Sequence, residues 1–410
     1  MDISRVAVIG AGTMGASIAV ALVNYGYEVI LKDVDETALT NGLARVDKML
    51  QSLVKKGLSM TEFDKRKKLI STTTEYQGLT RADLVIEAVL EKIDVKAEVF
   101  RQLERYCRPD AILASNTSSL SITEIAASLD RKDRVVGLHF FNPANIMKLV
   151  EVIPGLETSQ ETLIQAIKFG QSLDKLAIRV DECPSFLVNR LLGRYMGEAL
   201  WCLEESIATV EEIDKAACDF VMPIGPLALR DMNGADIGLA VARFNFQEYG
   251  ERFKPAQILE QMVQLNWLGQ KTGKGFYMYD GETRKRQGVN EELLTLLKNN
   301  KSNSSAAKFR AERLFLPMIN EAFIALQEQV CAVEDLDPAL MAGLGMRKGP
   351  LALAEDMGLN NCLNEIEALF KVYGERFRPA PLLKRYVRAG RKKIAAGDLQ
   401  KNSQREALLT

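Results

Sequence analysis

The sequence predicts a doubly wound α/β sheet followed by two all-α domains, and three observations carry that prediction. Short, continuously apolar runs alternate with helical stretches over about the first 180 residues, the pattern of a buried parallel sheet. From Pro184 onward the strand signals stop and helical periodicity takes over. Within that helical half two motifs recur in the same order at one spacing, the mark of an internal repeat.

The start of the chain is the most explicit part. Val6-Ala7-Val8-Ile9 reads as a strand, Gly10-Ala11-Gly12-Thr13-Met14-Gly15 follows at once, and Ala16 to Tyr25 reads as a helix closed by Gly26. A second strand, Glu28 to Leu31, ends at Lys32-Asp33 and completes a β-α-β unit of about 30 residues. Residues 41 to 70 break the rhythm. They are rich in Lys and Arg at helical spacing and read as an inserted helical hairpin. Further strands are expected at Leu84–Val89, Ala111–Ala114, Val135–Leu138 and Leu149–Ile153, with helices between most of them.

In the helical half, Gly225-Pro226-Leu227-Ala228-Leu229 returns as Gly349-Pro350-Leu351-Ala352-Leu353. Tyr249-Gly250-Glu251-Arg252-Phe253 returns as Tyr373-Gly374-Glu375-Arg376-Phe377, and both pairs are 124 residues apart. Arg190-Leu191-Leu192 matches Arg313-Leu314-Phe315 at nearly the same offset. Two helical domains related by internal duplication are therefore expected. The divisions are a cofactor domain at 1–181, a first helical copy at 182–282, a polar linker at 283–307 and a second copy at 308–410. Because the twin lies in the same chain, the expectation is an internal pseudo-dimer, and hence a monomer rather than a homodimer.

Composition excludes several partners. Fifty-three basic side chains against fifty-four acidic ones leave a net charge of -1, which points to neither nucleic acid nor an acidic membrane surface. No apolar run approaches the roughly 20 residues a membrane span requires. The six cysteines are scattered without a Cys-x-x-Cys pair, which reads as reduced thiols. With no signal peptide before Val6, a cytoplasmic protein is expected.

Gly10, Gly12 and Gly15 have the G-x-G-x-x-G spacing between a strand and a helix. The first permits a tight turn, the second lets the backbone approach a pyrophosphate, and the third permits close helix–strand packing. The spacing alone is weak, but Asp33 follows about twenty residues on, at the end of the second strand. A carboxylate there accepts hydrogen bonds from ribose hydroxyls and repels a 2′-phosphate, which favours NAD over NADP.

The sequence contains one histidine, His139, at the carboxyl end of a predicted strand, where open α/β sheets bind their ligands. Glu151 lies twelve residues later inside an apolar strand, where a carboxylate is costly unless it has a partner. Pairing the two would orient the imidazole and stabilise its protonated form, the arrangement of a general base and its orienter. Ser115-Asn116-Thr117-Ser118-Ser119 also follows a strand. It reads equally as a helix cap, through Ser119 or Ser121, or as a ligand-binding turn.

Taken together these residues resemble the 3-hydroxyacyl-CoA dehydrogenase family over essentially the whole chain. The motifs are the glycine loop at 10–15, Glu87-Ala88-Val89-Leu90-Glu91, Ser115–Ser119, His139-Phe140-Phe141-Asn142-Pro143, Asn189-Arg190 and Lys271-Thr272-Gly273-Lys274-Gly275-Phe276-Tyr277. The resemblance implies an α/β Rossmann-like sheet followed by the helical domains, NAD as cofactor, and a coenzyme A thioester oxidised at its 3-hydroxyl, as in β-oxidation of fatty acids. It implies His139 as base with Glu151 as its partner, and Ser118 and Asn189 on the substrate oxygens. It places Glu91, Lys96, Ser118, Asn142 and Lys271 along the NAD site beside Thr13, Met14 and Asp33. The basic hairpin, with Lys55 and Lys56, is a candidate for the coenzyme A phosphates, although a solvated helix face is the simpler explanation of its charges. No metal site is expected, and no hydratase activity.

Two positions depart from the family pattern. Pro184-Ser185-Phe186 has serine where the family has glycine, and the second repeat has Glu312-Arg313 in place of Asn189-Arg190, so no second active site is expected. A non-enzymatic NAD-binding protein of the same fold and a dehydrogenase of acyl-carrier-protein thioesters are the alternatives. A β-hydroxyacid dehydrogenase with a lysine base fits the His139 and Glu151 pattern less well.

Overall fold

A computed structural model of the chain describes residues 3–298 and 309–395. The chain divides into two compact units, the first ending at Phe186 and the second beginning at Leu187.

The first unit runs β1 (Arg5–Ile9), α1 (Thr13–Asn24), β2 (Glu28–Lys32), α2 (Glu36–Val54), α3 (Met60–Lys68) and β3 (Ile70–Thr73). It continues with β4 (Leu84–Glu87), α4 (Ile93–Tyr106), β5 (Ile112–Ser115), α5 (Ile122–Ala126) and β6 (Val135–Phe140). It closes with β7 (Leu149–Pro154), α6 (Gln160–Ser172) and β8 (Leu176–Arg179). The eight strands form one sheet in the order β3-β2-β1-β4-β5-β6-β7-β8. Val6, Val8, Leu84, Ile86, Ile112 and Val136 are fully buried, as strands covered on both faces by helices must be. The helices start where the sequence supplies caps: Asp35, Ser59, Ser121 and Ser159 each accept a backbone N–H in the first turn of α2, α3, α5 and α6. The inserted helical hairpin is thus α2 and α3.

Two edge strands, β3 and β8, carry too little apolar periodicity to be read from sequence, since Ile70-Ser71-Thr72-Thr73 is largely polar and Leu176–Arg179 is only half-buried over most of its length. The sheet is also not wholly parallel. β6 and β7 pair antiparallel, while every other pair in this sheet is parallel. That reversal brings His139 directly opposite Glu151 in the register.

The second unit contains α7 (Val188–Glu204), α8 (Val210–Phe220), α9 (Pro226–Asn233), α10 (Ala235–Tyr249) and α11 (Gln257–Gln264). A hairpin of β9 (Tyr277–Tyr279) and β10 (Arg286–Val289) and the helix α12 (Glu291–Lys298) follow. Then come α13 (Glu312–Gln327), α14 (Val333–Leu344), α15 (Pro350–Met357), α16 (Leu359–Tyr373) and α17 (Pro381–Arg388). The expected linker from Thr283 is therefore structured up to Lys298, because Tyr277 and Tyr279 give the polar Arg286–Val289 segment a strand to pair with. The rest of that linker and the residues from 396 onward lie outside the described residues.

The order α7 to α11 is repeated by α13 to α17, and the two halves meet through α7 packed on α13. The contact is reciprocal. Arg190 pairs with Glu321 at 2.7 Å, and Arg313 pairs with Glu198 at 2.7 Å. Arg252 and Arg376 repeat the pattern on Glu321 and Glu198, at 3.2 and 3.3 Å. Arg190 lies over the Tyr249 ring at 4.5 Å and Arg313 over Tyr373 at 4.2 Å. Glu198 and Glu321 are almost fully buried, so each needs these cations to offset its lost hydration.

Candidate active site

The site begins at two adjacent antiparallel strands. His139 on β6 and Glu151 on β7 are cross-strand neighbours, and His139 Nδ1 lies 2.7 Å from Glu151 Oε2. Both are buried, at 3% and 0% exposure. A carboxylate in that contact accepts the Nδ1–H hydrogen bond, which leaves Nε2 with its lone pair. The ring is held laterally by Phe141 and Phe186, with centroids 4.5 and 5.7 Å away. The imidazole thus has one orientation and one free nitrogen, the geometry of a general base.

The cofactor loop has the shape its glycines require. Gly10 adopts φ +98°, and a Cβ there would come within 2.7 Å of the Ala88 carbonyl oxygen. A Cβ at Gly15 would collide with the Gly10 carbonyl, whereas one at Gly12 would meet nothing within 4 Å. Gly12 is exposed and precedes α1 without any side-chain cap, so the first N–H groups of the helix face outward beside Thr13 and Met14. Asp33, half-buried, accepts the Ala11 N–H at 2.6 Å and the Val34 N–H at 2.7 Å, which fixes its carboxylate beside the loop. An open backbone cradle with a fixed carboxylate next to it fits a dinucleotide with a free ribose diol.

A network running from the buried Glu87 and Lys96 to the exposed Glu91 links the ends of β4 and β5. Glu91 accepts the Thr117 hydroxyl at 2.6 Å and the Ser118 N–H at 2.9 Å, and lies 3.2 Å from Lys96. Burial alone would raise the Glu91 carboxyl, but the Lys96 charge and these hydrogen bonds hold it below its ordinary range. Lys96 is 1% exposed and also binds Glu87 at 2.8 Å. Glu87 in turn accepts the Ser115 hydroxyl at 2.6 Å. The turn at Ser115–Ser119 is therefore a part of this network, while Ser121 caps α5. Asn116 Oδ1 accepts the Phe140 N–H at 2.9 Å and ties that turn to the histidine strand.

Ser118 and Asn142 are exposed, Ser118 beside Glu91 and Asn142 just beyond β6. Lys55 and Lys56 are exposed at the end of α2. In the second unit Asn189 is half-buried in the first turn of α7. Lys271 binds both carboxylate oxygens of Asp236, at 2.5 and 2.6 Å. Its loop is anchored by Asp231, which accepts the Phe276 and Tyr277 N–H groups.

Asp231 was passed over in the sequence, and Glu87 and Thr117, though inside quoted motifs, were given no role of their own. Glu87 ends the apolar run Leu84-Val85-Ile86, so the argument that singles out Glu151, a carboxylate in a buried strand, would have found it as well.

Residues 5–183 match the family model described as the NAD-binding domain of 3-hydroxyacyl-CoA dehydrogenase. Residues 186–279 and 309–399 match the C-terminal domain of the same family. The fatty acid oxidation complex subunit alpha of Shewanella amazonensis is 38% identical over 395 residues, covering 95% of this chain and 56% of that protein. A glyoxysomal fatty acid beta-oxidation multifunctional protein of Brassica napus is 35% identical, with 93% and 54% covered. The chain spans about half the length of these relatives. Among solved structures, 3-hydroxybutyryl-CoA dehydrogenase from Escherichia coli superposes with TM-score 0.85 at 33% identity, covering 95% of this chain and 99% of that one. The (S)-3-hydroxybutyryl-CoA dehydrogenase of Ralstonia eutropha gives TM-score 0.66 at 40% identity, covering 68% of this chain and 100% of that one. With both family domains matched along the sequence and the dinucleotide cradle in place, the chain belongs to the 3-hydroxyacyl-CoA dehydrogenase family of NAD-dependent oxidoreductases.

Proposed function

We propose that this chain catalyses the reversible, NAD-dependent oxidation of a (S)-3-hydroxyacyl-CoA to the 3-ketoacyl-CoA, with His139 as the general base. The observation that carries the reading is the buried contact between His139 Nδ1 and Glu151. His139 Nε2 takes the proton of the substrate hydroxyl, and Glu151 stabilises the imidazolium that results. Bound NAD supplies the acceptor for the hydride that leaves C3. The Ser118 hydroxyl and the Asn189 amide hold the substrate oxygens. Gly10, Gly12, Thr13, Met14 and Gly15 cradle the pyrophosphate, and Asp33 takes the ribose hydroxyls. Glu91, Asn142 and Lys271 complete the cofactor site, with Lys96 as the buried brace that holds Glu91. Lys55 and Lys56 meet the phosphates of coenzyme A.

Two wider expectations belong to the same reading. The internal pairing of the two helical halves stands in for a second subunit, so the protein works as a monomer. The compartment is the cytoplasm; among the described residues no helix is long and apolar enough to cross a membrane.

The decisive test is His139→Gln, assayed with acetoacetyl-CoA and NADH. The expected result is a fall in kcat of at least about 10²-fold with NADH affinity nearly unchanged. A variant with near-normal kcat overturns the assignment.

A further inference from the structure

The two helical halves differ most where the first is hollow. A cleft open to solvent lies among α7, α10 and α11, with Arg194, Arg230, Arg376 and Glu198 on its walls. It is built from missing side chains. Gly197 has nothing within 4 Å of where its Cβ would be, and a Cβ at Gly238 would run into the Arg230 guanidinium. At the corresponding positions the second half has Asn320 for Gly197, Cys362 for Gly238 and Ala354 for Arg230. There Cys362 Sγ packs on the Ala354 carbonyl at 3.7 Å, and Asn320 is 4% exposed. The same skeleton is therefore filled in one half and open in the other.

Asn320 shows what the open half lacks. Its Nδ2 donates to the Arg378 carbonyl at 2.9 Å and its Oδ1 accepts the Ala380 N–H at 2.8 Å. In the first half the matching carbonyl, of Lys254, is served by Trp201 Nε1 at 3.2 Å. The matching donor, the Ala256 N–H, has no hydrogen-bond partner among the described residues, although Ala256 is fully buried. A buried amide without a partner costs about 1–3 kcal/mol. Charge is set at the same place. Arg190, Arg194, Arg252, Arg313 and Arg376 face Glu198, Glu204, Glu205, Glu321 and Glu328, five against five. Arg230 stands outside that balance: it makes no ion pair among the described residues, and its Nε is buried without a hydrogen bond. Burial pushes its guanidinium down to about 10.

We propose that this cleft binds a small carboxylate with an apolar body, one oxygen accepting the Ala256 N–H where Asn320 Oδ1 sits in the other half, and the charge facing Arg230. The apolar body lies against Leu200, Val241 and Leu259, which line the same space. This site stands apart from the dehydrogenase reading and does not depend on it.

Hexanoate is the probe, added to the full-length protein at about ten times its half-saturating concentration, with chloride at equal ionic strength as reference. A rise in Tm of about 2–4 °C is expected. Arg230→Ala and Gly197→Asn, the residues that the second half uses, each abolish that rise. Gly197→Asn also raises the Tm of the free protein, because its amide takes the ligand's place. A rise that persists in both variants overturns the proposal, as does hexanoate performing no better than chloride. An equal rise with inorganic phosphate overturns the carboxylate assignment, and an equal rise with hexanol overturns the role of charge.

Discussion

The two halves of the helical unit share their skeleton and their mutual contact but not their chemistry. Arg190 and Arg313, Glu198 and Glu321, Arg252 and Arg376 occupy matching places and bind across the contact in both directions. Asn189 has become Glu312, Arg230 has become Ala354, and Asp231 has become Glu355. Residues that hold the halves together are the same on both sides. Asn189, proposed to hold a substrate oxygen, and Arg230 and Asp231 have no identical counterpart on the other side. The second half can be required whatever its chemistry, because the buried Arg190 and Glu198 of the first half form ion pairs with it.

The largest effect expected is on that contact. Glu321→Gln leaves Arg190 and Arg252 without their buried carboxylate and should cost about 3–5 kcal/mol in urea unfolding. Glu198→Gln should cost less, because Arg194 lies 3.8 Å from Glu321, while among the described residues the ion pairs of Glu198 are with Arg313 and Arg376. Equal losses would assign Arg194 no part in the contact.

Catalysis should be one-sided. Asn189→Glu, which writes the second half's residue into the first, is expected to lower kcat/KM about 10²-fold. The converse, Glu312→Asn, should leave kcat/KM within about twofold of the parent. If the two exchanges have similar effects, the second half takes part in the reaction.

The smallest effect is on pH. Burial, aided by the Asp214 charge, pushes the Asp231 carboxyl up to about 6, against the hydrogen bonds from Tyr277, Phe276 and Tyr279. A carboxyl raised in the folded state keeps its proton longer than in the unfolded chain. Its contribution is therefore present at low pH and fades as pH rises from about 4 to about 6. Over that window the parent should lose about 2–3 kcal/mol relative to Asp231→Asn. The corresponding Glu355 instead accepts the Ile394 N–H. Parallel profiles for the parent and Asp231→Asn would exclude Asp231 as the titrating group.

Much of the site was legible because its costs are local. One carboxylate in an apolar strand and one histidine at a strand end suffice to pair Glu151 with His139, and glycine spacing with Asp33 locates the cofactor loop. The strand β7 was expected but its antiparallel direction was not, although Phe141 to Lys148 is too short for the crossover that a parallel neighbour needs. β10 escaped because Arg286-Gln287-Gly288-Val289 has almost no apolar content of its own and depends on β9 for its pairing. The Lys96 brace was equally hidden. A lysine on a helix reads as solvated until Glu87 and Glu91 are known to lie against it.

Arg194 lies where the two halves meet, and its guanidinium donates to the carbonyls of both Arg252 and Arg376, the same residue in each half. A group that serves both sides at once occupies a place that only one residue can hold. Were the second half an exact copy of the first, two arginines would compete for the same two carbonyls and repel each other. The chain has Pro317 at the opposing position instead, which has neither charge nor donor to contest them. The consequence is that the halves are no longer interchangeable parts. A protein assembled from two first halves would carry a conflict at its centre, so this pairing tolerates the difference between its members and also requires it.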